Sequence, residues 1–323
     1  MTVAWVVGAR GLLGRALTDR LRQTHTALFS PAHHFVWSDE RRLPDQLAPA
    51  VAAFAESARD AGGWEIYWSA GISGMDSPEP VLRAETRALQ WFVDRLESEP
   101  SLRGVPGRFL LSSSAGAIYA GSRESVVDEA SPSAPTTPYA RGKLEQEELL
   151  GRSRLPARGC RILLARIASV YGPALPSDNR RGLITTMARC VVRNEPAPIY
   201  VPLDTARDYI DSRDVAHIGI AALRALPRPG DPVVKIVASE KPTTVAELLA
   251  TFRRIAPRRL LFTSRITTLS SVYSMRFRLR SRVLPVTAGF SSTPLPQGVA
   301  RVLARERLLA QHPSGCAAPE SRP

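Results

Sequence analysis

Residues 3–14 read Val-Ala-Trp-Val-Val-Gly-Ala-Arg-Gly-Leu-Leu-Gly, near the start of a chain of 323 residues. The apolar run Val3 to Val7 predicts a short buried strand, and the leucines from Leu12 to Leu21 recur at the spacing of an amphipathic helix. The glycines between strand and helix are spaced G-x-x-G-x-x-G. A strand, a glycine-rich turn and a helix in this order predict a dinucleotide-binding unit.

Each glycine of this turn has a physical task. The first permits the tight turn, the second lets the backbone approach a pyrophosphate, and the third lets the helix pack on the strand. The free N–H groups and the positive dipole end of the helix then favour phosphate. We therefore expect the turn to bind the cofactor through Gly8, Arg10, Gly11, Leu12, Leu13 and Gly14.

The type of dinucleotide is indicated by the end of the second predicted strand. An acid there would hold the ribose 2′-hydroxyl of NAD, but the sequence reads Leu28-Phe29-Ser30-Pro31. Arg10 lies in the glycine turn, and further basic side chains lie nearby, at His33, His34, Arg41 and Arg42. A missing acid and available cations predict NADP as the preferred cofactor over NAD. Alternatively, Arg10 is a loop residue whose side chain faces solvent.

Predicted strands and helices alternate along the chain, which is typical of βαβ units and a mostly parallel sheet. The predicted strands include Thr26–Phe29, Phe35–Ser38, Glu65–Ser69, Arg108–Ser113, Cys160–Ile167 and Val233–Val237. The predicted helices include Gln46–Ala61, Val81–Leu96, Pro138–Leu150, Leu183–Arg193, Asp214–Ala225 and Thr244–Ile255. Short extended pieces are expected at Pro198–Val201 and Tyr209–Ile210.

This pattern predicts an α/β protein: a Rossmann-type doubly wound parallel sheet with a smaller C-terminal substrate lobe. We expect the Rossmann domain to span residues 1–173, with residues 209–238 returning to it. The substrate lobe is then residues 174–208 and 239–312, and residues 313–323 form a flexible tail.

Composition narrows the class of protein further. Hydrophobic residues make up 44% of the chain and charged residues 23%, as in a soluble globular protein. We expect no membrane span and no secretory signal, and three distant cysteines predict neither disulfides nor a metal site, so a cytoplasmic location is expected. The net charge is +13, and the stretch from Leu248 to Arg305 has no acid. Without aromatic interleaving, this basic stretch does not favour nucleic acid as the partner.

A second pattern carries chemistry. Tyr139 and Lys143 lie four residues apart on a predicted helix and therefore share one face. A lysine beside a phenol is expected to stabilise the phenolate and lower the pKa of the tyrosine, which could then exchange a proton with a substrate hydroxyl. The strand before this helix ends in three serines, and Ser114 could hydrogen-bond the reacting oxygen.

These motifs together resemble the extended short-chain dehydrogenase/reductase superfamily, in its NAD-dependent epimerase/dehydratase group. The resemblance rests on the glycine turn, the serine cluster, Tyr139-x-x-x-Lys143 and two later segments, which read Arg166-Ile-Ala-Ser-Val-Tyr171-Gly172-Pro173 and Arg207-Asp-Tyr-Ile-Asp211-Ser-Arg-Asp214. It implies nucleotide-sugar chemistry, a homodimer, and catalysis by Ser114, Tyr139 and Lys143. It also implies further cofactor contacts at Asp39, Ser69, Ala70, Gly71, Ile167 and Ser169, a position for Tyr171 to Pro173 close to the nicotinamide, and substrate contacts at Ala115, Ser169 and Arg207.

The chain departs from the family pattern at three places. Ser169 stands where asparagine is usual, and Glu85 or Thr86 takes the place of another usual asparagine. Ala115 and Gly116 follow Ser114, where sugar dehydratases carry acids, which argues against water elimination. We therefore expect an epimerase or a reductase acting on a sugar carbon of a nucleotide sugar. The alternative is a catalytically weak NADP-binding sensor or scaffold of the same fold.

Overall fold

The structure is a computed structural model that describes residues 1–37, 39–173, 182–256, 260–264, 277–285 and 290–311. The expected tail, residues 313–323, lies outside the described residues. None of the helices described is long and apolar enough to cross a membrane.

The main sheet has six parallel strands. They are β1 (Val3–Val7), β2 (Ala27–Phe29), β3 (Trp64–Trp68), β4 (Gly107–Ser114), β6 (Cys160–Ile167) and β10 (Val233–Val237). Their spatial order is β10-β6-β4-β3-β1-β2, and every neighbouring pair is parallel. The chain leaves β1 toward one edge and returns to its other side, so the order of the strands reverses at β1. Ligands of open α/β sheets bind at the carboxyl ends of the strands beside such a reversal.

Helices cover both faces of this sheet. They are α1 (Leu12–Gln23), α2 (Leu43–Ala61), α3 (Glu79–Ser98), the short α4 (Ala115–Ile118), α5 (Pro138–Arg152) and α7 (Ser212–Ala225). The apolar sides of α1, α4 and α7 form one core with the sheet, and those of α2 and α3 form a second core on its opposite face. The predicted doubly wound Rossmann architecture is thereby confirmed.

A third core lies apart from these two. It is built from α6 (Leu183–Arg193), α8 (Val245–Ile255) and α9 (Leu295–Gln311), together with β8 (Ala197–Ile199) and parts of neighbouring strands. Small sheets join it to the rest of the chain through β7 (Ser169–Tyr171), β9 (Ala206–Asp211) and β11 (Pro242–Thr244). The remaining described strands are β5 (Val126–Val127), β12 (Phe262–Ser264) and β13 (Arg278–Leu279). The domain boundaries given above remain a prediction, although this third core occupies most of the expected substrate lobe.

The strand predicted at Phe35–Ser38 is wrong for the three of its residues that the structure describes, and Ser38 lies outside the described residues. The main sheet ends at β2. Aromatic packing explains the misleading apolar pattern: Phe35 packs on Trp5 and Trp37, with ring centroids 6.3 and 5.5 Å apart. The Val36 N–H donates to the Gln46 side chain at 2.9 Å instead of to a strand.

Candidate active site

The glycine turn brings the ends of β1 and β3 into contact. Gly8 has a φ of +89°, and a Cβ there would stand 2.6 Å from the Ala70 backbone nitrogen. A Cβ on Gly14 would stand 2.1 Å from the Gly8 carbonyl oxygen, so α1 packs directly on the turn. Ser69 binds the Val7 carbonyl through both its N–H and its hydroxyl. Two predicted groups of cofactor residues, the glycine turn and residues 69–71, therefore share one edge of the sheet.

The first turn of α1 can receive an anion. Gly11 precedes the helix, no side chain caps it, and its first turn holds no acid. Leu12 lies against the Tyr-Gly-Pro segment, since a Cβ on Gly172 would stand 2.9 Å from its side chain. The start of α1, the 69–71 segment and the 171–173 segment thus face one crevice. An uncapped helix start and a glycine turn without side chains fit a pyrophosphate.

Arg10 lies at the outer end of this crevice. Its guanidinium contacts the His34 ring, beyond the end of β2. The carboxylate of Asp39 accepts the backbone N–H groups of Arg41 and Arg42 at 3.1 and 3.2 Å, just before α2. The predicted cofactor contact of Asp39 therefore involves a side chain that also fixes the start of a helix.

The three predicted catalytic residues come together. Ser114 is the last residue of β4 and lies in register with Ile167 of β6, another predicted cofactor residue. The Ser114 hydroxyl hydrogen-bonds the phenol of Tyr139, which stands in the first turn of α5. Thr137 caps this helix by accepting the Ala140 N–H at 3.1 Å, which fixes the point where the helix begins. Ala115 follows Ser114 directly and is buried.

Lys143 is buried on the same face of α5 and is 8% exposed. Its Nζ lies 5.8 Å from the centroid of the Tyr139 ring and donates to Gln146 Oε1 at 3.0 Å. Burial lowers the pKa of this lysine, while the carboxylates of Glu85 and Glu147 oppose that change. An ammonium carries three donors, so the Gln146 bond leaves donor capacity for ribose hydroxyls.

The expected fall in the pKa of Tyr139 is wrong for the protein without cofactor. Burial and, to a lesser extent, the nearby charge of Glu85 together raise the pKa of this phenol to about 12, against the hydrogen bond from Ser114. Desolvation penalises the phenolate, and a like charge penalises it again. Tyr139 is therefore protonated at neutral pH.

Glu85 and Gln146 are functional-site residues that the sequence did not assign. Of the two candidates for the usual asparagine position, it is Glu85 that reaches the site, because its charge acts on both Tyr139 and Lys143. The departure from the family pattern was the signal for Glu85. Gln146 carried none beyond its position three residues after the lysine.

A buried ionic network lies beneath the site and holds α5 on the sheet. Arg166 of β6 donates to the Glu147 carboxylate at 2.7 Å and to the Tyr119 hydroxyl at 2.6 Å. Ser113 donates to the same carboxylate at 2.6 Å. Removing one partner of such a buried pair typically costs about 3–5 kcal/mol, because it leaves an uncompensated charge. Since Glu147 lies one turn after Lys143, the network also fixes where the lysine stands.

The predicted substrate residues Ser169 and Arg207 lie on adjacent strands. Ser169 of β7 pairs in register with Tyr209 of β9, and Arg207 precedes Tyr209 by two residues. Burial raises the pKa of Tyr209, and the charge of Arg207 opposes that change, so the two side chains interact. The Asp211 carboxylate, at the end of the same strand, binds Arg213 and Arg301.

The fold and site define a Rossmann-type protein with a serine, a tyrosine and a lysine at the carboxyl edge of its sheet. The sequence profile of the NAD dependent epimerase/dehydratase family matches residues 73–236, about half of the chain. The chain belongs to this family.

Solved structures with the same fold cover almost the whole chain. MoeE5 in complex with UDP-glucose and NAD is 20% identical and has a TM-score of 0.72, and the match covers 96% of this chain and 100% of that one. RMD from Pseudomonas aeruginosa complexed with NADPH is 22% identical, with a TM-score of 0.74 and coverage of 95% and 99%. UDP-glucose 4-epimerase from Bifidobacterium longum, in complex with NAD+ and UDP, is 17% identical, with a TM-score of 0.75 and coverage of 98% and 100%.

Proposed function

We propose that this protein is an NAD(P)-dependent epimerase or reductase that acts on a sugar carbon of a nucleotide sugar. The observation that carries the proposal is the convergence of Ser114, Tyr139 and Lys143 at the edge of the sheet that also presents the glycine turn. Family membership supports it, as do the UDP-glucose bound to one structural neighbour and the UDP bound to another.

In this proposal Tyr139 exchanges a proton with the sugar oxygen. Ser114 orients that oxygen through the hydroxyl that it already directs at the phenol. Lys143 holds the nicotinamide ribose and stabilises the phenolate once the proton has left. The bound nicotinamide supplies the chemistry of hydride exchange with the sugar carbon. In a reductase the protonated phenol of Tyr139 donates its proton to a carbonyl oxygen, whereas in an epimerase the phenolate of Tyr139 first accepts the proton of a sugar hydroxyl.

NADP is the proposed preferred cofactor. Ser30 stands near the end of β2, where an acid would favour NAD, and Arg10 and His34 meet beside it. Both side chains can donate hydrogen bonds to a 2′-phosphate. Structural neighbours bound to NAD and to NADPH show that the fold itself accepts either cofactor.

The Glu85 carboxylate lies at the candidate site, but its hydrogen bonds do not favour a role in water elimination. Both oxygens of Glu85 already accept hydrogen bonds, from the backbone of Ile72 and Ser73 and from the Ser73 hydroxyl. In this proposal the carboxylate therefore holds residues 72 and 73 in place and does not act as the base. We therefore propose epimerisation or reduction rather than dehydration.

A panel of UDP-, GDP- and dTDP-sugars tests the proposal when each is incubated with NAD, NADP, NADH or NADPH. A reductase consumes the reduced nicotinamide in step with product, whereas an epimerase interconverts sugars without net change in nicotinamide absorbance. Cofactor binding without turnover of any sugar would contradict the enzyme proposal and favour the sensor or scaffold.

A further inference from the structure

A row of charged side chains lies at the edge of the main sheet where the strands begin. Glu65 of β3 is in register with Arg108 of β4, and Arg108 is in register with Arg161 of β6. Neighbours in register on parallel strands project from the same face of a sheet. The residues two positions further along these three strands belong to the core that α1 and α7 cover. The row therefore lies on that face, six residues or roughly 20 Å along β4 from Ser114.

The one carboxylate of this row already has a cation of its own. Glu65 is 1% exposed and accepts hydrogen bonds from Arg224 of α7, through Nε at 3.0 Å and Nη2 at 2.8 Å. The Tyr67 hydroxyl donates to the same carboxylate at 2.8 Å. The contact from Arg108 Nη1 to Glu65 Oε1 is long, at 3.6 Å. Arg224 therefore balances the charge of Glu65, and Arg108 adds a second positive charge.

Arg108 and Arg161 both have hydrogen-bond donors without acceptors. The Nε of each guanidinium is buried and makes no hydrogen bond. Among the described residues, no carboxylate pairs with Arg161. Two adjacent cations repel each other, and a buried donor without an acceptor is destabilising. An anion that accepts hydrogen bonds from both arginines would remove both costs.

We propose that Arg108 and Arg161 form a second ligand site, which binds a phosphate group at the edge of the sheet opposite the glycine turn. Two guanidiniums match the charge of a phosphate near neutral pH, whereas a single carboxylate matches only one of them. Each planar guanidinium can donate two parallel hydrogen bonds to phosphate oxygens, through Nε and one terminal nitrogen. Free phosphate and a phosphate monoester share this chemistry. The site is separate from the candidate active site, so the proposal does not rest on the proposed function.

The test observes the two unpaired donors directly in the full chain. The protein is labelled with ¹⁵N, and the arginine Nε–H signals are recorded during titration with sodium phosphate, glycerol 3-phosphate, or sodium chloride at matched ionic strength. The signals of interest are assigned by their loss in Arg108→Gln and in Arg161→Gln. Arg193→Gln is the matched control, because it removes the same charge at the exposed end of α6.

We expect the Nε–H signals of Arg108 and Arg161 to move together with phosphate along one saturable curve. Arg161→Gln should raise the Kd that is read at Arg108 by at least tenfold, since a charged hydrogen bond is lost. Arg193→Gln should bind like the wild type. Phosphate should also raise the Tm of the wild type by more than that of Arg161→Gln, because a ligand of the folded state stabilises it. Of the two phosphate compounds, the one that binds more tightly shows whether the site prefers free phosphate or a monoester.

Three results would overturn the proposal. Chloride could shift both signals as far as phosphate does, the phosphate shifts could fail to saturate, or Arg161→Gln could bind phosphate as tightly as the wild type. Circular dichroism verifies that each variant is folded. Since Arg108→Gln leaves Arg161 as the reporter, and the reverse, either variant alone is sufficient for the test.

Discussion

Arg10 is the side chain on which the proposed preference for NADP depends. It stands inside the glycine turn and meets His34, while the position that would carry an acid is Ser30. A 2′-phosphate adds negative charge at this place, whereas a 2′-hydroxyl does not. The discrimination between NADP and NAD should therefore depend on the guanidinium.

Replacing Arg10 with alanine is expected to weaken NADP binding by roughly tenfold or more and to leave NAD binding nearly unchanged, since a charged hydrogen bond is worth about 1.5–3 kcal/mol. Fluorescence titration of both cofactors measures the two Kd values. Arg15→Ala is the matched control, because Arg15 is exposed on α1. Equal losses for NADP and NAD, or a wild type that binds NAD more tightly, would contradict the proposed preference.

Arg207 is the proposed contact to the substrate pyrophosphate. A guanidinium can bind phosphate oxygens with two parallel hydrogen bonds. Arg207→Ala should raise KM for the nucleotide sugar by at least tenfold, with Tm nearly unchanged, as steady-state kinetics and thermal melting would show. Arg193→Ala, at the exposed end of α6, should leave both values unchanged. A loss of stability with unchanged KM would make Arg207 structural.

Among whole elements, α9 connects the third core to the candidate site. The side chain of Tyr171 packs against Gly298 in the first turn of α9. Tyr171 belongs to the segment that is predicted to lie close to the nicotinamide. Arg301 of the same helix binds Asp211, and Asp211 caps α7 by accepting the Arg213 N–H. The position of α9 therefore affects both the Tyr-Gly-Pro segment and the start of α7, the helix that packs on the main sheet.

Gly298→Ala should destabilise the protein by about 1–3 kcal/mol, because overpacking of a buried contact forces its neighbours to move. The added Cβ would stand 2.0 Å from the Tyr171 hydroxyl, and Tyr171 is only 4% exposed. Gly151→Ala on α5 is the matched control, since no atom outside its helix lies within 4 Å of the added Cβ. Chemical denaturation should show that this control is neutral or more stable. Equal effects of the two substitutions would contradict the proposed packing of α9.

The sequence predicts the bounds of a strand or helix well where the hydrophobic pattern alone determines them. Cys160–Ile167, Val233–Val237 and Leu183–Arg193 begin and end at the predicted residues. Thr244, the first residue of the predicted helix, caps α8 in a reciprocal bond with Glu247. By contrast, the apolar run around Phe35 gives the same local signal whether it pairs in a sheet or packs on Trp5. Local sequence cannot distinguish a paired strand from a packed apolar loop here, because tertiary contacts decide which of the two forms.

The sequence predicts which residues form the candidate site better than it predicts the pKa of Tyr139. Spacing and strand ends brought Ser114, Tyr139 and Lys143 together correctly as neighbours. The direction of the pKa change at Tyr139 was wrong, because it depends on burial and on a carboxylate from another helix. Glu85 lies 54 positions before Tyr139, and only the packing of α3 beside α5 places its charge there.

Across the whole molecule, the proposed function depends on one edge of the main sheet. The ends of β1, β3, β4 and β6 bring together the glycine turn, residues 69–71, Ser114 and Ile167. The third core reaches the candidate site through Tyr171, which contacts α9 at Gly298. A nicotinamide and a nucleotide sugar bound there would both be within reach of Tyr139.

The turnover and the cofactor affinity of Tyr139→Phe together give the most direct test of the proposed active site. The substitution removes only the transferable proton, so we expect kcat to fall by roughly 10²–10⁴-fold while the cofactor Kd stays at the wild-type value. Lys143→Met should impair both, because the lysine also holds the ribose. A Tyr139→Phe variant that retains a tenth of the wild-type rate would contradict the assignment of proton transfer to Tyr139.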